Sequence, residues 1–372
     1  MFKPSKLIPL AQPVTHGEEL EFVKEAFTTN WVAPLGPNVD AFESEISRYL
    51  GIENCLATVS GTSAIFLALK LAGVGPGEKV LCSDMTFAAT VNPVRYLGAQ
   101  QVFVDSEYET WNMSPEALEK AFALHPDAKF VCLAHLYGTP AKMDEILEIC
   151  RAHGAVLIED AAEALSSTYK GRQCGTLGDY NAISFNGNKI ITTSGGGMLL
   201  THTKEARDKA FFWATQARED VPWYQHNEIG YNFRMSNIVA GVGRGQLIHI
   251  EEHKAIKKKI DARYAEGLRN LPVAMNPALP DSDSNRWLSC MTINKDVKAD
   301  PIDLFYKLKD NMIQSRPIWK PMHMQPVYEG FDFVSTGVGE DVFARGLCLP
   351  SHTGMTEEEQ DYVISQIKAF FD

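Results

Sequence analysis

The chain contains 372 residues, of which 45% are hydrophobic and 22% are charged, a composition typical of a globular protein with one large and one smaller domain. Its 35 Lys and Arg residues against 47 Asp and Glu residues give a net charge of −12, which disfavours binding to nucleic acid or to an anionic membrane surface. The seven cysteines are scattered and never spaced as C-x-x-C, so we expect neither a disulfide framework nor a thiolate zinc site.

The first residues of the chain show no basic segment followed by an apolar stretch, which is the pattern of a secretory signal. No apolar run approaches the ~20 residues of a membrane-spanning helix. We therefore expect a cytoplasmic protein without a membrane partner.

Short apolar runs alternate with longer amphipathic ones between about residues 55 and 220. The apolar runs predict buried strands, and the amphipathic runs, with apolar residues at three- and four-residue spacing, predict helices. This alternation indicates an α/β fold in which helices cover both faces of a mostly parallel sheet. The predicted strands are EKVLCSD, AQQVFVDS, KFVCLAHL, GAVLIED and NAISFN, and the predicted helices are SAIFLALKLAG, opening at Thr62 or Ser63, SPEALEKAFAL, MDEILEICRAHG and KEARDKAFFWATQARE.

A second, smaller unit is predicted towards the C-terminus. A long polar helix, HIEEHKAIKKKIDARYAEGL, carries the chain into it, so we place the boundary near residue 250. The large domain then spans residues 1–250, with an N-terminal arm, and a small α+β domain spans residues 251–372. Thr356 and Glu359 form a capping box that predicts the start of a closing helix.

Two polar side chains follow buried strands at the sheet edge where ligands collect. Asp160 ends GAVLIED, and Lys189 lies in a glycine-rich loop five residues after Ser184, which ends a strand. Alone, each has an ordinary explanation, as a helix cap or a solvated charge. Together they form the arrangement that pyridoxal phosphate requires, because a lysine amine condenses with the cofactor aldehyde and a carboxylate keeps the pyridine nitrogen protonated.

The segment SGTSAIFLALKLAG places Gly61, Thr62 and Ser63 in the first turn of a helix, where free N–H groups attract an anion such as phosphate. A role as helix cap is the alternative for Thr62 and Ser63, and both roles can hold. Ser184 is a further candidate donor. Phe87, just past EKVLCSD, is a candidate for stacking on the cofactor ring, with a place in the core as the alternative.

Six segments occur in the order found in the sugar-nucleotide aminotransferases of the DegT family: SGTSA, TFAAT, HLYG, IEDAAEA, SFNGNK and GYNFRMSN. The resemblance runs from WVAPLGPNVDAFE to GLCLPSHTG and so covers nearly the whole chain. It implies a fold-type I, pyridoxal phosphate-dependent transferase, whose large domain has a mostly parallel sheet between helices and whose small C-terminal domain is α+β.

The resemblance also implies roles for individual residues. Lys189 would bind the cofactor and then move a proton between cofactor and substrate carbon, and Asp160 would pair with the pyridine nitrogen. Asn232, in GYNFRMS, would reach the phosphate of a neighbouring subunit, so a homodimer with shared active sites is expected. The remaining residues implied at the phosphate and the ring are Gly61, Thr62, Ser63, Ser184 and Phe87.

Glu163 departs from the pattern, since many relatives carry glutamine at this position. It lies three residues after Asp160 on the same helix face. A second carboxylate near the ring would repel Asp160 unless it were protonated or hydrogen-bonded. We include Glu163 among the cofactor-binding residues as a subgroup variation, because some relatives that act on UDP-sugars also read DAAEA.

The lysine at position 189, where a related dehydratase branch has histidine, favours transamination over loss of a hydroxyl. The resemblance implies that L-glutamate donates the amine and that a ketone on a nucleotide-linked hexose receives it. The segment NGNKIITTSGGGML is most similar to enzymes that aminate C4 of UDP-2-acetamido-2,6-dideoxy-4-keto-hexose to give UDP-4-amino-4,6-dideoxy-N-acetylglucosamine for glycan biosynthesis. The alternatives are a GDP-linked perosamine-type or dTDP-sugar aminotransferase, or a non-catalytic cofactor-binding regulator.

Two further segments are candidates for substrate contacts. One is the loop that begins at Trp31, and the other is RPIWKPMH, where Arg316, Lys320 and His323 suit a diphosphate. Ordinary surface cations are the alternative for these three residues.

The segment HIEEH, residues 249–253, fits the H-x-x-E-H pattern of inverted zinc peptidases. The charged KAIKKKIDAR that follows instead favours a solvent-exposed helix face. From the sequence we therefore expect no metal site.

Overall fold

The computed structural model describes residues 4–372. Within that range the helices are α1 (Glu18–Thr28), α2 (Pro37–Leu50), α3 (Gly61–Ala72), α4 (Ala88–Tyr96), α5 (Pro115–Leu124), α6 (Met143–His153), α7 (Lys204–Ala214), α8 (Asn237–Ile248), α9 (Ile250–Leu268), α10 (Pro301–Asp310), α11 (Val338–Arg345) and α12 (Glu357–Phe371). The strands are β1 (Asn54–Thr58), β2 (Lys79–Ser83), β3 (Gln100–Val104), β4 (Phe130–Ala134), β5 (Val156–Asp160), β6 (Thr168–Tyr169), β7 (Arg172–Gln173), β8 (Tyr180–Ser184), β9 (Gly197–Thr201), β10 (Val273–Met275), β11 (Ser282–Asp283), β12 (Ser289–Ile293), β13 (Arg316–Pro317), β14 (Phe333–Val334) and β15 (Gly346–Leu349).

An eight-stranded sheet forms the centre of the molecule, in the order β1-β9-β8-β5-β4-β2-β3-β14. Strand β9 runs antiparallel to both of its neighbours, and the other strand pairs of this sheet are parallel. The central strands are buried almost throughout because helices cover both faces. The predicted α/β class with a mostly parallel, helix-covered sheet is confirmed.

The first turn of α3 lies at the carboxyl edge of this sheet. Ser60 caps the helix, since its hydroxyl accepts a hydrogen bond from the amide of Ser63. The helix therefore begins at Gly61, one residue before the predicted start, and neither Thr62 nor Ser63 is its cap. Most residues of α3 are buried, because the helix packs against β8 and β9 on one side and α4 on another.

Helix α7 is shorter than the sequence predicted. The predicted helix ran to residue 219, but α7 ends at Ala214. Gln216 and Ala217 take left-handed backbone conformations, with φ of 66° and 51°. The amide of Gln216 donates to the carbonyl of Tyr231 instead of continuing the helix. This tertiary contact ends the helix where the local sequence does not.

The C-terminal part of the chain contains a separate antiparallel sheet in the order β10-β12-β15-β13. Helices α9, α10 and α12 bury an apolar cluster together with this sheet. Thr356 and Glu359 form the predicted capping box at the start of α12. None of the helices within residues 4–372 is long and apolar enough to cross a membrane.

Many contacts join the parts of the chain on either side of residue 250, and they include strand pairing and a bridge. Strand β14, from the C-terminal part, pairs in parallel with β3 of the large sheet. Near the N-terminus, Ile8 is fully buried and forms a bridge with Ile313. The division into residues 1–250 and 251–372 stays a prediction. The contacts show that a C-terminal segment packs on the large sheet and that an N-terminal segment packs on the C-terminal part.

Candidate functional site

A cavity of about 310 Å³ opens at the carboxyl edge of the large sheet. Strands β4, β5 and β8, the first turn of α3 and two tryptophans from the C-terminal part contribute to its walls. This is the position at which ligands bind in open α/β sheets. The predicted site residues that line the cavity are Gly61, Thr62, Phe87, Asp160, Glu163, Ser184 and Lys189.

Asp160 is the last residue of β5, and the strand places its carboxylate at the cavity floor. Its Oδ2 accepts a hydrogen bond of 2.7 Å from the hydroxyl of Thr90, and its Oδ1 accepts one of 2.9 Å from the amide of Ala162. Burial raises the pKa of Asp160 above its usual value, and the two hydrogen bonds together with the Lys189 charge oppose that rise. The carboxylate is thus fixed in direction and poised to pair with a positive partner.

Lys189 lies close to a carboxylate and to an aromatic face. Its Nζ is 3.2 Å from Oε1 of Glu163 and 4.3 Å from the centre of the Trp287 ring. Glu163 also accepts a hydrogen bond of 2.7 Å from the amide of Tyr137 through Oε2. Burial raises the pKa of Glu163, and Lys189 opposes this rise. Glu163 therefore has the hydrogen bonds that a second carboxylate beside Asp160 requires.

The first turn of α3 and the end of β8 form a narrow cradle at one end of the cavity. The N–H groups of Gly61 and Thr62 lie at helix positions that have no intrahelical acceptor. A Cβ on Gly61 would lie 2.9 Å from the Cβ of Ser184, so only glycine permits this close approach. Helix N–H groups beside a serine hydroxyl are a donor set suited to a phosphate.

Ser63 does not belong to this cradle. It is not among the residues that line the cavity, its amide donates to Ser60, and its hydroxyl lies 2.9 Å from the hydroxyl of Ser60. In this structure Ser63 supports the helix cap, which holds the first turn in place for Gly61 and Thr62.

These residues fit pyridoxal phosphate. The cradle would hold its phosphate, Asp160 would face its ring nitrogen, and Lys189 supplies the amine for its aldehyde. Phe87 lies at the rim, 57% exposed, with its ring centre 5.4 Å from that of Trp319.

The sequence did not indicate Trp287 and Trp319, which close the cavity from the C-terminal part. The indole N–H of Trp287 donates to the carbonyl of Asn188, and the amide of Trp319 donates to the hydroxyl of Tyr137. The carbonyl of Trp287 accepts a hydrogen bond of 2.9 Å from the buried Lys257. No local pattern distinguishes these tryptophans from core residues, since their place depends on the packing of distant segments.

Thr90 was also absent from the predicted site. It lies in the TFAAT segment, so the segment that suggested Phe87 also contained the side chain that orients Asp160. The available signal was the position of Thr90 shortly after the predicted strand EKVLCSD, at the edge of the sheet where ligands bind.

Trp31 and Asn232 lie together along a different groove, which has a volume of about 600 Å³ and also includes Phe211 and Arg234. Neither residue lines the cavity that contains Lys189. The groove is therefore separate from the cofactor cradle within one chain.

The three cations predicted to hold a diphosphate do not line the cavity either. Arg316 is exposed, and Lys320 is half-buried. His323 is paired on both sides, with Nδ1 2.7 Å from the buried carboxylate of Asp84 and Nε2 3.1 Å from Glu340. These two carboxylates raise the pKa of His323 against the effect of burial. His323 thus clamps its segment to the end of β2.

Comparison with known proteins gives concordant results. The sequence profile of the DegT/DnrJ/EryC1/StrS aminotransferase family matches residues 13–368. The chain is 47% identical to the putative pyridoxal phosphate-dependent aminotransferase EpsN of Bacillus subtilis, over 98% of this chain and 96% of that protein. It is 33% identical to GDP-perosamine synthase of Escherichia coli O157:H7, over 98% and 99% of the two chains. The structure of aminotransferase TlmJ from Streptoalloteichus hindustanus superposes with a TM-score of 0.91 at 28% identity, over 98% of both chains.

Proposed function

Because the chain belongs to the DegT/DnrJ/EryC1/StrS aminotransferase family, we propose that it transfers the amino group of L-glutamate to C4 of a nucleotide-linked 4-keto-6-deoxy sugar. The chain is a sugar aminotransferase, and its cofactor is pyridoxal phosphate. The observation that carries the proposal is the single cavity in which Lys189, Asp160 and the Gly61–Ser184 cradle meet.

When bound, pyridoxal phosphate supplies an electron-accepting ring and a carbon that carries the amine from donor to acceptor. Asp160, held by Thr90 and Ala162, keeps a proton on the ring nitrogen, so that the ring stays electron-accepting. Transamination requires a proton to move from one carbon to another. The amine Nζ of Lys189 accepts this proton from the first carbon and delivers it to the second. Glu163 accepts a hydrogen bond of 3.2 Å from Nζ and so holds the amine in position.

The aromatic residues at the cavity mouth exclude water. Phe87, Trp287 and Trp319 line the cavity and give it apolar walls. A site that is closed to water strengthens the electrostatic contacts of Asp160 and Lys189.

We propose UDP-2-acetamido-2,6-dideoxy-4-keto-hexose as the acceptor and a GDP-linked perosamine-type or a dTDP-linked sugar as the alternative. The support for UDP is the resemblance of NGNKIITTSGGGML, together with Glu163. The support for GDP is the 33% identity to a GDP-perosamine synthase. Trp31, Arg316, Lys320 and His323 remain proposals for contacts to the substrate.

We further propose a homodimer that works in the cytoplasm and shares its active sites between subunits. Support comes from the groove with Trp31 and Asn232, whose lining includes exposed apolar side chains. Trp31 is 41% exposed, Leu35 54% and Phe211 37%. Exposed apolar side chains in one region are typical of a surface that another chain covers.

The test is an amination assay with a panel of acceptors. Purified holoenzyme and L-glutamate are incubated with UDP-, dTDP- and GDP-linked 4-keto-6-deoxy sugars, and mass spectrometry records which sugar gains nitrogen. We expect the UDP-linked 2-acetamido sugar to react fastest. Preference for the GDP-linked sugar would support the perosamine-type alternative, and no reaction with any sugar would favour the non-catalytic regulator.

A further inference from the structure

Three histidines from two distant parts of the chain meet outside the cavity. His16 lies just before α1, and His249 and His253 lie at the start of α9. Nε2 of His16 is 2.8 Å from Nε2 of His253, and the rings of His16 and His249 stack with centres 3.7 Å apart. Glu252 brings a carboxylate oxygen to 3.2 Å from Nδ1 of His249. The H-x-x-E-H segment thus gains a third histidine that its sequence could not reveal.

The hydrogen bonds fix which ring nitrogens carry protons. Nδ1 of His253 is 2.9 Å from the carbonyl oxygen of Ile190, which can only accept, so Nδ1 of His253 carries a hydrogen. Nε2 of the neutral His253 then has a lone pair, and Nε2 of His16 donates to it. This leaves Nδ1 of His16 without a hydrogen. A histidine that donates one ring N–H to a fixed acceptor and presents the other nitrogen is the usual form of a metal-ligating histidine.

The spacing of the donor atoms suits a single ion. One such atom from each of His16, His249 and Glu252 lies within 4.8 Å of the other two. Two ligand atoms on a tetrahedral zinc ion lie about 3.3 Å apart, given bonds of about 2.0–2.1 Å. The stacked rings of His16 and His249 must also turn out of their parallel arrangement, so that a nitrogen lone pair of each points at the ion. Neither His16 nor Glu252 is buried, so these side chains have room to turn.

The surroundings of the cluster are negatively charged. Glu18 has a carboxylate oxygen 3.4 Å from Nε2 of His249, and the carboxylate of Glu19 accepts hydrogen bonds from the amides of His16 and Gly17. Imidazole with carboxylate is the ligand set that zinc and similar divalent transition metals prefer.

We propose that His16, His249 and Glu252 bind a divalent transition-metal ion of the zinc class, and that His253 is the positioning residue that orients His16. The ion would tie the segment before α1 to the start of α9. Through His253 the same chain of contacts reaches the carbonyl of Ile190, the residue after Lys189. The proposal does not depend on the substrate of the aminotransferase.

The test is a titration of untagged, cofactor-loaded protein with Zn²⁺, followed by isothermal calorimetry and equilibrium dialysis. We expect one ion per chain, and at least about 10-fold weaker binding in His16→Ala and in Glu252→Gln. His153→Ala is the matched control, because His153 pairs with Glu119 at 3.0 Å elsewhere on the surface. Absence of saturable Zn²⁺ binding by the unaltered protein would overturn the proposal. So would Zn²⁺ affinities of His16→Ala and Glu252→Gln equal to that of the unaltered protein, or a loss of affinity in His153→Ala as large as in those two variants.

The positioning role of His253 has a separate readout. His253→Leu removes the acceptor for His16 and should weaken Zn²⁺ binding about 10–100-fold. His253→Gln can still donate to Ile190 and accept from His16, so it should retain most of the affinity. Thermal unfolding of the metal-free variants shows whether either change perturbs the fold. Unaltered Zn²⁺ affinity in His253→Leu would refute this role.

Discussion

Individual charged residues in the cavity depend on neighbours that come from other elements. Asp160 is oriented by Thr90 of α4, and Glu163 by the amide of Tyr137. The sequence predicted that Asp160 and Lys189 lie near each other, because each comes at or after the end of a buried strand, and both line the cavity. Thr90 and Trp287 could not be found in this way. Their contacts with Asp160 and Lys189 form between segments that are distant in the sequence, and no local sequence pattern predicts such contacts.

Replacement of Lys189 tests its assigned role. Lys189→Ala should abolish both the violet absorption of the bound cofactor and transamination, because within residues 4–372 Lys189 is the lysine that lines the cavity and can condense with the cofactor aldehyde. Absorption spectra and the amination assay measure these two effects. Lys204→Ala, at an exposed lysine paired with Asp208, should change neither. Turnover of glutamate and a keto-sugar nucleotide by Lys189→Ala would disprove the assignment.

Replacement of Asp160 tests the ring partner. Asp160→Asn keeps one oxygen that can accept from the amide of Ala162, and its NH2 group can donate to the hydroxyl of Thr90, but it cannot hold the proton on the ring nitrogen. We expect the fold to survive and turnover to fall by about 100-fold or more. Circular dichroism checks the fold, and stopped-flow measurement of the glutamate half-reaction checks the rate. Turnover equal to that of the unaltered protein would rule out the pairing.

Lys257 gives a pH-dependent prediction. It is buried without a carboxylate partner and donates to the carbonyls of Trp287 and Ser351. Burial lowers its pKa from 10.5 to about 7. The contribution of Lys257 to stability is therefore complete above pH 10.5 and is lost as the pH falls towards 7, because the unfolded chain binds the proton more tightly.

The comparison is with Lys257→Met, which lacks this ionisation. Between pH 8 and 10, the free energy of unfolding of the unaltered protein should rise relative to the variant by about 3 kcal/mol, at ~1.4 kcal/mol per pH unit. Urea unfolding at each pH measures this difference. Lys259→Met, on the exposed side of the same helix, should show no such dependence. A difference that is constant with pH would contradict the prediction.

At the scale of elements, strands β4, β5 and β8 and helix α3 follow directly from the sequence, whereas α4 and β9 were not predicted. Continuous apolar runs gave the buried strands, and Gly61 and Thr62 lie in the first turn of α3 as expected. The end of α7 was predicted too late, because the contact of Gln216 with Tyr231 is made by a distant segment. Ser63 was assigned to the phosphate from its position in the first turn, but the direction of a side chain there depends on which residue caps the helix.

The cradle at the start of α3 can be tested through Gly61. Gly61→Ala would place a Cβ 2.9 Å from the Cβ of Ser184, and the resulting shift of the helix should cost about 1–3 kcal/mol of cofactor binding, or about 5–150-fold in affinity. Fluorescence titration of the apoprotein with pyridoxal phosphate measures this loss. Gly75→Ala is the control, because a Cβ at Gly75 meets no atom within 4 Å. Equal affinity in the two variants would exclude a tight cradle.

At the scale of the whole molecule, the proposed sharing of active sites predicts complementation between variants. Lys189→Ala lacks the amine, and Asn232→Ala lacks the group proposed to reach across to the partner's phosphate. A mixed dimer of the two would contain one site with both groups intact. After subunits are exchanged, activity should reach about one quarter of that of the unaltered enzyme at low cofactor concentration, where each variant alone is inactive. No recovery despite exchange would contradict shared sites.

Strand β14 lies beside β3 at one edge of the large sheet, although some 230 residues separate the two strands along the chain. During synthesis the ribosome releases β3 early, whereas β14 emerges only when about nine-tenths of the polypeptide has been made. Until then the nascent sheet keeps an open, apolar edge that another chain could join. Expression yield and the demand for chaperones should therefore respond more strongly to a change at Val334, which does not line the cavity, than the catalytic rate of the finished enzyme does.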